Sequence, residues 1–446
     1  MGKTDFREKY NFVCQMKGTC SFYALWYGLK SNQGRDKLRF LKSYIGNVWR
    51  WMRGIIRLGF YECRERKNVR KFVEEKQELK VEDIIKPIAI YLPQFYTFPE
   101  NDTWWGKGFT EWKNVKKALP LFTGHYEPHI PHPDIGYYDL SDVSVMKKQV
   151  NIAKKYGIYG FCFYYYHFAN GKRLLEKPIN NWLAANNIDF PFCYAWANEN
   201  WTRAWDGGEK EIIMPQDYNV ENMKLMMSSM LQDMKDSRYI KVGENKNTPV
   251  LMIYRAEIVP QIKEITTIWR NMAKAEGFDD LFLVSMQNFK AVFPKEMGMD
   301  AATEFASLKS KTPPFSFDTR SINDFEYNGK LLNVIKYKNV MRYIQDNQTT
   351  EYIRYKCCVP SWDNTPRKGE NGWMLIDSSP KLFKEMFSEC VRQTLSNKDL
   401  LKNGFIFINA WNEWGEGAHL EPDIKNGYAN LEAIHDIMSL KIRSLI

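Results

Sequence analysis

The chain has 446 residues, too many for one small domain and enough for a large α/β unit of roughly 250–400 residues with an appendage. With 44% hydrophobic and 26% charged residues, its composition is that of a globular protein. The formal net charge is +10, and residues 1–80 alone hold 19 Lys and Arg against 8 Asp and Glu. The remainder is nearly neutral, which argues against a nucleic-acid groove there, because such a groove needs positive charge.

Near the N-terminus, residues 35–59 carry an amphipathic helical pattern. At helical spacing one face is apolar, and it consists of Leu41, Ile45, Val48, Met52, Ile55 and Ile56. Arginine and lysine residues occupy the opposite face, and tryptophans flank the apolar one, a pattern typical of a helix that lies in a membrane interface. We predict that residues 1–80 form a basic extension whose residues 35–59 contact an anionic membrane peripherally. Docking on the large domain or on another subunit is the alternative, and nucleic acid is the least favoured partner.

The sequence begins MGKTDFREKYNF, without the apolar segment of a secretory signal, and it contains no run of about 18 apolar residues. The eight cysteines form no C-x-x-C pair, and several lie in apolar, strand-like runs. Buried free thiols explain them better than a disulfide framework or a zinc site. These features predict a cytoplasmic protein.

From residue 86 onward, short apolar runs alternate with amphipathic helical stretches. There are eight such runs, at residues 88–96, 158–168, 190–201, 248–254, 281–287, 301–307, 355–362 and 404–414. Alternating strands and helices imply a parallel sheet, and continuous apolar strands imply burial on both faces. Eight units favour a closed (β/α)₈ barrel, a TIM barrel, over an open sheet, and we assign it to residues 86–446. No glycine-rich nucleotide-binding motif follows any of the runs.

Polar and aromatic side chains gather at the predicted carboxyl ends of these strands, where barrels carry their chemistry. The third run breaks into WANENW and the eighth into WNEWGEG, and both patterns would pack poorly in a core. Aromatic rings stack on the apolar faces of sugars, and amides, carboxylates and guanidinium groups bind sugar hydroxyls. We therefore predict a sugar site lined by Tyr91, Trp105, Glu111, Tyr165, His167, Trp196, Asn198, Glu199, Trp201, Trp362 and Trp411.

The segment W-N-E-W-G-E-G, residues 411–417, holds the sharpest candidate chemistry. Glu413 follows a buried strand, and Gly415 and Gly417 allow a tight turn that returns Glu416 to the same pocket. Chemistry at a glycosidic bond needs two carboxyl groups. Glu413 and Glu416 are therefore the predicted catalytic pair, and the alternative is that both only hydrogen-bond a ligand.

The loop after the first strand contains His125, His129 and His132, which raise the question of a metal. Prolines between these residues rule out a regular helix that would align the imidazoles, and no H-E-x-x-H motif is present. We predict a proline-stiffened loop that covers the pocket, with no metal and no cofactor.

Several long segments resemble the WbsX-like glycosyltransferase family, which belongs to the barrel superfamily of glycoside hydrolase family 99. The matching segments are YLPQFY (91–96), WWGKGFTEW (104–112), GFCFYYYHF (160–168), WANENWTRAWDG (196–207) and NAWNEWGEGAHLEPD (409–423). The resemblance covers the chain apart from its N-terminal segment, and it implies a (β/α)₈ barrel that needs no metal.

The resemblance also implies roles for the two glutamates. In the hydrolase branch of the superfamily, the first glutamate of N-E-W-x-E-G acts as base on the sugar's own 2-hydroxyl, and the second is the general acid. These positions match Glu413 and Glu416. The implied activity is glycosyl transfer, or retaining hydrolysis or transglycosylation, on an oligosaccharide or polysaccharide. The implied setting is O-antigen or capsule synthesis at the cytoplasmic face of the bacterial inner membrane. A carbohydrate-binding barrel without turnover is the alternative.

Overall fold

The computed structural model describes residues 79–442, except 204–207, 288–290, 306–325, 328 and 347–349, together with Ile45, Val48, Trp49 and Met52. The amphipathic pattern predicted over residues 35–59 therefore lies outside the described residues apart from those four, which are helical. Membrane contact by this segment stays a prediction. Within the described part of the chain, no helix combines the length and the apolar composition that crossing a bilayer requires.

Eight parallel strands form a closed barrel, as the sequence predicts. They are β1 (Lys86–Tyr91), β2 (Gly160–His167), β3 (Phe192–Trp196), β4 (Thr248–Ile253), β5 (Phe282–Gln287), β6 (Ala301–Glu304), β7 (Arg354–Cys358) and β8 (Phe405–Ile408). Each strand pairs with the next in chain order, and β8 returns to β1 with Lys86 opposite Phe405 and Ala89 opposite Ile408. The closed ladder confirms the predicted (β/α)₈ barrel.

Helices fill most of the connections between the strands. They are α1 (Pro99–Trp105), α2 (Trp112–Lys117), α3 (Val143–Lys155), α4 (Glu176–Ala184), α5 (Val220–Asp233), α6 (Ile262–Ala275), α7 (Tyr337–Asp346), α8 (Thr365–Lys368), α9 (Pro380–Leu395), α10 (Lys398–Leu401) and α11 (Ala429–Met438). The longer helices form the outer layer, whereas α1, α2 and α8 lie in the loops that follow β1 and β7. These loops build the mouth at the carboxyl ends of the strands.

Shorter elements lie before β1 and in the connections around the barrel. The 3₁₀ turns are Val81–Asp83, Ala169–Gly171, Ala256–Ile258, Pro294–Met297, Gly369–Asn371 and Trp414–Glu416. The short strands are Arg173–Leu174, Trp201–Arg203, Gly208–Met214, Lys241–Val242, Glu326–Tyr327, Lys330–Leu331, Asn333–Lys336, Trp373–Ile376, Asn412–Glu413 and Ala418–His419.

The core lies inside the barrel and between the barrel and its helices. Strand β2 is buried along its whole length, and so is β8, which explains their continuous apolar sequences. Helix α9 shows how the outer layer attaches: the Ser379 side chain accepts the Leu382 N–H at its start, and Phe383 and Phe387 are buried against the barrel. The five cysteines in the described part of the chain are buried and free, as expected.

Gly404 stands at the seam where β8 meets β1, and its replacement tests how tightly the barrel closes. Its φ is +67°, and a Cβ there would overlap the carbonyl oxygen of Ile84. We expect Gly404→Ala to lower the free energy of unfolding by at least about 2 kcal/mol, measured by urea denaturation. Gly136→Ala is the matched control, because its φ of +60° is similar while no atom lies within 4 Å. Equal losses in the two variants would contradict a tightly packed seam.

Candidate active site

The predicted catalytic pair lies in a short hairpin that follows β8. Residues Asn412–Glu413 pair antiparallel with Ala418–His419, and the turn Trp414–Glu416 joins them. The side-chain amide of Asn412 accepts the Leu92 N–H at 2.7 Å and donates to the Leu92 carbonyl oxygen at 2.9 Å. This pair of bonds fixes the hairpin to the end of β1, and so places Glu413 at the C-terminal mouth of the barrel.

Arg367 draws three glutamates together at this mouth. Its Nε donates to Glu111 Oε1 at 2.8 Å, while its terminal nitrogens lie 2.9 Å from Glu413 Oε2 and 2.7 Å from Glu416 Oε1. Because one planar guanidinium reaches both, those two oxygens lie within about 8 Å of each other. The paired carboxyl groups of glycosidases are ~5–10 Å apart, so the spacing suits chemistry at a glycosidic bond.

Gly415 leaves the space that this cluster occupies. A Cβ at this position would overlap Glu111 Oε1 and come within 2.9 Å of Arg367 Nε. The sequence predicts a tight turn at Gly415 and Gly417, but of these two only Gly417 has a positive φ, at 56°. Close approach of neighbouring side chains, rather than backbone conformation, explains glycine at 415.

The two candidate catalytic carboxyl groups lie in different environments. The Glu413 side chain is 6% exposed and that of Glu416 is 22% exposed. Burial raises the pKa of Glu413 to about 8, with contributions from the Glu416 and Glu111 carboxylates, and Arg367 opposes the shift. A carboxyl pair whose members are solvated so differently is suited to separate acid and base roles.

Three tyrosines outside the predicted pocket lining lie near this cluster. Burial raises the pKa values of Tyr164 and Tyr166 on β2, and the Glu413 carboxylate raises both further. Burial also raises the pKa of Tyr254, which follows β4, and the carboxylates of Glu199, Glu416 and Glu413 add to that shift. The three phenols are therefore neutral hydrogen-bond donors within electrostatic reach of the glutamates.

Tyr165 and His167, the neighbours of these tyrosines on β2, were predicted to line the pocket but face the outer helices instead. The Tyr165 hydroxyl donates to Ser229 Oγ at 3.2 Å, and His167 Nε2 lies 3.0 Å from Asn222 Oδ1. Both partners belong to α5 in the outer layer. Successive side chains of a strand point to opposite faces, so a choice displaced by one residue selects the helix-facing side.

Three other predicted lining residues also lie in the layer between strands and helices. Tyr91 donates through its hydroxyl to Gln149 of α3 at 2.7 Å. Trp196 is fully buried and packs against Trp269 of α6, with ring centroids 5.8 Å apart. Trp411 is fully buried as well, 5.0 Å from the ring of Phe161. The structure does not bring Tyr91, Trp196 and Trp411 to the glutamates.

The other residues predicted from the third strand either support the backbone of the mouth or border the mouth. The Asn198 amide clamps the Arg255 backbone, donating to its carbonyl oxygen at 2.9 Å and accepting its N–H at 2.8 Å. Glu199 is partly exposed and holds the Arg255 guanidinium at 2.5 Å. Trp201 is partly exposed and lies 5.2 Å from the ring of Tyr166. Glu199 and Trp201 therefore border the mouth, while Asn198 shapes its backbone.

Trp105 and Trp362 lie on loops of the mouth. Trp105 is partly exposed at the end of α1, and its ring centroid is 6.1 Å from that of Phe109. Trp362 lines a cavity of about 410 Å³ whose wall also includes His125, His129 and Asp363. Glu111, by contrast, is fully buried and bonded to Arg367. Of the predicted lining residues, Glu111 is therefore part of the charged cluster around Arg367.

Arg367 itself is positioned by a chain of polar contacts that the sequence analysis missed. His125 Nε2 lies 2.5 Å from Asp363 Oδ2, and Asp363 Oδ1 accepts the Thr365 N–H at 2.9 Å. Thr365 begins α8, the short helix that carries Arg367. The Asp363 N–H also donates to the Glu416 carbonyl oxygen at 2.6 Å. The segment WDNTPR (362–367) offered a signal, an acidic residue and a proline at a helix start, but nothing in it indicated a shared cation.

The profile of the family described as Glycosyltransferase WbsX matches residues 87–434, which include the barrel and its mouth. The chain belongs to this family. Two relatives of this WbsX-family chain, both described as uncharacterized protein WxcX, come from strains of Xanthomonas campestris pv. campestris. Each is 38% identical over 352 residues, which is 79% of this chain and 49% of the relative. The chain thus spans about half the length of these curated relatives.

Solved structures share the fold of this WbsX-family chain at low identity. A glycoside hydrolase-like protein aligns with a TM-score of 0.50 and 13% identity, covering 81% of this chain and 96% of that protein. A family 99 endo-α-mannosidase from Bacteroides thetaiotaomicron aligns with a TM-score of 0.48 and 13% identity, covering 80% and 97%. At this level of identity the first similarity speaks for the fold alone.

Replacement of Arg367 by Met tests the charged cluster of this WbsX-family chain. Three carboxyl groups, of which Glu111 and Glu413 are buried, would lose their shared cation, so we expect a loss of about 3–5 kcal/mol in the free energy of unfolding. Because Arg367 lowers the pKa of Glu413, its removal raises that pKa further above the unfolded value. The folded state then binds more protons than the unfolded state, and the loss is larger at pH 9 than at pH 6.

The measurement is urea denaturation of the wild type and the variant at both pH values. Lys368→Met is the matched control, since it removes the same charge from the next residue of α8. A loss in Arg367→Met that is small or independent of pH would show that the cluster does not hold the mouth together.

Proposed function

We propose that this WbsX-family protein acts on glycosidic bonds of an oligosaccharide or polysaccharide, with Glu413 and Glu416 as its carboxyl pair. The observation that supports this most is the gathering of both glutamates by Arg367 at the C-terminal mouth of a barrel. Membership in a carbohydrate-active family supports the class of substrate. The neutral tyrosines around the pair supply donors suited to sugar hydroxyls.

In the proposed mechanism, Glu416 donates a proton to the glycosidic oxygen of the leaving sugar. Arg367, 2.7 Å from Glu416, stabilises the carboxylate that this step leaves behind. Glu413 accepts the proton of the attacking hydroxyl group, and its raised pKa makes it a stronger base than an ordinary carboxylate. Glu111 completes the charge balance of the guanidinium and keeps it in one orientation.

The proposed setting is the synthesis of a bacterial surface polysaccharide, an O-antigen or a capsule. The family description, a glycosyltransferase, supports transfer of a sugar, while a carboxyl pair supports hydrolysis or transglycosylation equally well. Cytoplasmic location and peripheral contact of residues 35–59 with the inner membrane remain predictions from the sequence.

Removal of either carboxyl group should slow turnover while leaving substrate bound. We expect Glu413→Gln and Glu416→Gln each to reduce kcat by at least ~10²–10⁴-fold, because a positioned acid or base contributes that much. The double variant should be little slower than the slower single variant, since both residues act on one transition state. The substrates are labelled oligosaccharides released from bacterial O-antigens and capsules, and product formation is followed in H₂¹⁸O, where label in the product separates hydrolysis from transfer.

Glu432→Gln on the exposed surface of α11 is the control, and its turnover should match the wild type. Calorimetry on the same oligosaccharides reports binding. Oligosaccharide binding without turnover in the wild type would favour the rival function, a carbohydrate-binding barrel. Unchanged turnover in both single variants would remove the glutamates from the chemistry.

The pH dependence of kcat/KM tests whether Glu413 titrates in the reaction. The mechanism needs Glu416 protonated and Glu413 deprotonated at the same time, so kcat/KM should follow a bell-shaped profile in pH, with one limb near 8, the folded-state pKa of Glu413. That limb should disappear in Glu413→Gln, whose residual activity lacks that group. A limb near 8 that persists in Glu413→Gln, or no limb there in the wild type, would show that Glu413 does not exchange a proton in the reaction.

A further inference from the structure

Two segments far apart in sequence meet beside the mouth and bring together His129, His419 and Asp423. The His132 N–H donates to the Pro422 carbonyl oxygen at 2.8 Å, and the Ile424 N–H donates to the Ile130 carbonyl oxygen at 3.0 Å. One nitrogen from each imidazole and a carboxylate oxygen of Asp423 all lie within 4.8 Å of one another. All three residues are buried.

The two histidines face each other with their ring nitrogens. His129 Nδ1 lies 2.8 Å from His419 Nε2. His419 Nδ1 lies 2.8 Å from the Glu421 carbonyl oxygen, which accepts only, so this nitrogen carries the proton and Nε2 presents its lone pair to the cluster. A backbone carbonyl that fixes the tautomer in this way is the usual companion of a histidine that binds a metal.

Glu127 completes the same arrangement on the other histidine. Its side chain is 0% exposed, and its Oε1 lies 4.0 Å from His129 Nε2. Neither carboxylate oxygen has a well-formed hydrogen bond from the described residues. A buried carboxyl group that lacks well-formed hydrogen bonds is costly, and a neighbouring cation offsets that cost. Without an ion, the His129 Nδ1–H donates to His419 Nε2. An ion that binds both nitrogens selects the tautomer of His129 whose proton is on Nε2, toward Glu127, as in carboxylate–histidine–metal triads.

We propose that His129, His419 and Asp423 bind one divalent transition-metal ion, with Glu127 orienting His129 from behind. Two imidazole nitrogens and one carboxylate oxygen are a donor set that suits zinc, and they leave a fourth position for water. The nitrogens of His129 and His419 need to separate slightly, because two nitrogens on one zinc lie about 3.3 Å apart. Tyr126, His129, Lys425 and Asn426 border the cavity of about 410 Å³, which gives a hydrated ion a route to the site.

A second group of possible ligands, His125, Glu127 and Asp363, fits a metal less well. The Leu121 N–H donates to His125 Nδ1 at 2.9 Å, so Nε2 carries the proton of the neutral ring. That Nε2–H points at Asp363 Oδ2, 2.5 Å away, and leaves no lone pair for an ion. His125 therefore supports α8, and the metal site belongs to the neighbouring group.

The test uses the full chain, freed of metal by chelator dialysis and then titrated with Zn²⁺ against a chromophoric competitor. We expect one Zn²⁺ per chain, and a loss of affinity of at least about 100-fold in His419→Gln and in Asp423→Asn. Glu127→Gln should lose about 10–100-fold, the usual effect of a residue that orients a ligand. His132→Ala is the control from the same loop, and its affinity should not change.

Metal-free melting curves and circular dichroism of each variant show whether it folds. Where a variant does not fold, the wild type alone decides through Co²⁺ substitution: a tetrahedral spectrum with nitrogen ligands supports the site, and an octahedral, oxygen-only spectrum overturns it. The proposal also falls if the wild type binds no Zn²⁺, or if His125→Gln loses Zn²⁺ while His419→Gln retains it.

Discussion

The guanidinium of Arg367 is the contact on which the mouth of this barrel depends. Its three partners come from different parts of the chain: Glu111 from the loop after β1, and Glu413 and Glu416 from the hairpin after β8. Three carboxylates this close together, two of them buried, would repel one another, and the single cation among them offsets that repulsion. Burial raises the pKa of Glu413, the other two carboxylates add to the shift, and Arg367 offsets only part of it.

Hydrogen bonds to the backbone hold both sides of this contact in place. On one side, Asn412 binds the Leu92 backbone and attaches the hairpin to β1. On the other side, Asp363 Oδ1 accepts the N–H of Thr365, the first residue of α8, and the Asp363 N–H donates to the Glu416 carbonyl oxygen. Rigid placement of this kind is what acid–base chemistry requires, because a carboxyl group that strays by about 1 Å loses much of its effect. The side chains at the mouth are thus held in place by hydrogen bonds, as acid–base chemistry would require.

The second strand of the hairpin and the residues that follow it connect the glutamates to the proposed metal site. The ring of His419 stacks on that of Trp414 at 3.7 Å, and Trp414 Nε1 donates to the buried Glu421 carboxylate at 2.7 Å. Tyr138 and Gln149 donate to the same carboxylate. Burial raises the pKa of Glu421 to about 7, and these donors oppose the shift. An ion at His419 would stiffen the base of the turn that carries Glu413 and Glu416.

The sequence by itself determined the barrel and the carboxyl pair. Eight apolar runs separated by amphipathic stretches specify a closed parallel sheet, and W-N-E-W-G-E-G marks the strand end where Glu413 and Glu416 lie. It could not choose between Tyr164 and Tyr165, or between Tyr166 and His167, because all four are aromatic and polar and only the pleat decides which face looks inward.

Only the tertiary structure decided which distant residues meet. Arg367 lies 256 positions from Glu111, and His129 lies 290 positions from His419. No local pattern encodes such a pairing, since charge neutralisation and metal coordination depend on distance in space rather than along the chain. The prolines that argued against a metal excluded a regular helix within one loop. They gave no information about ligands that the segment after β8 supplies.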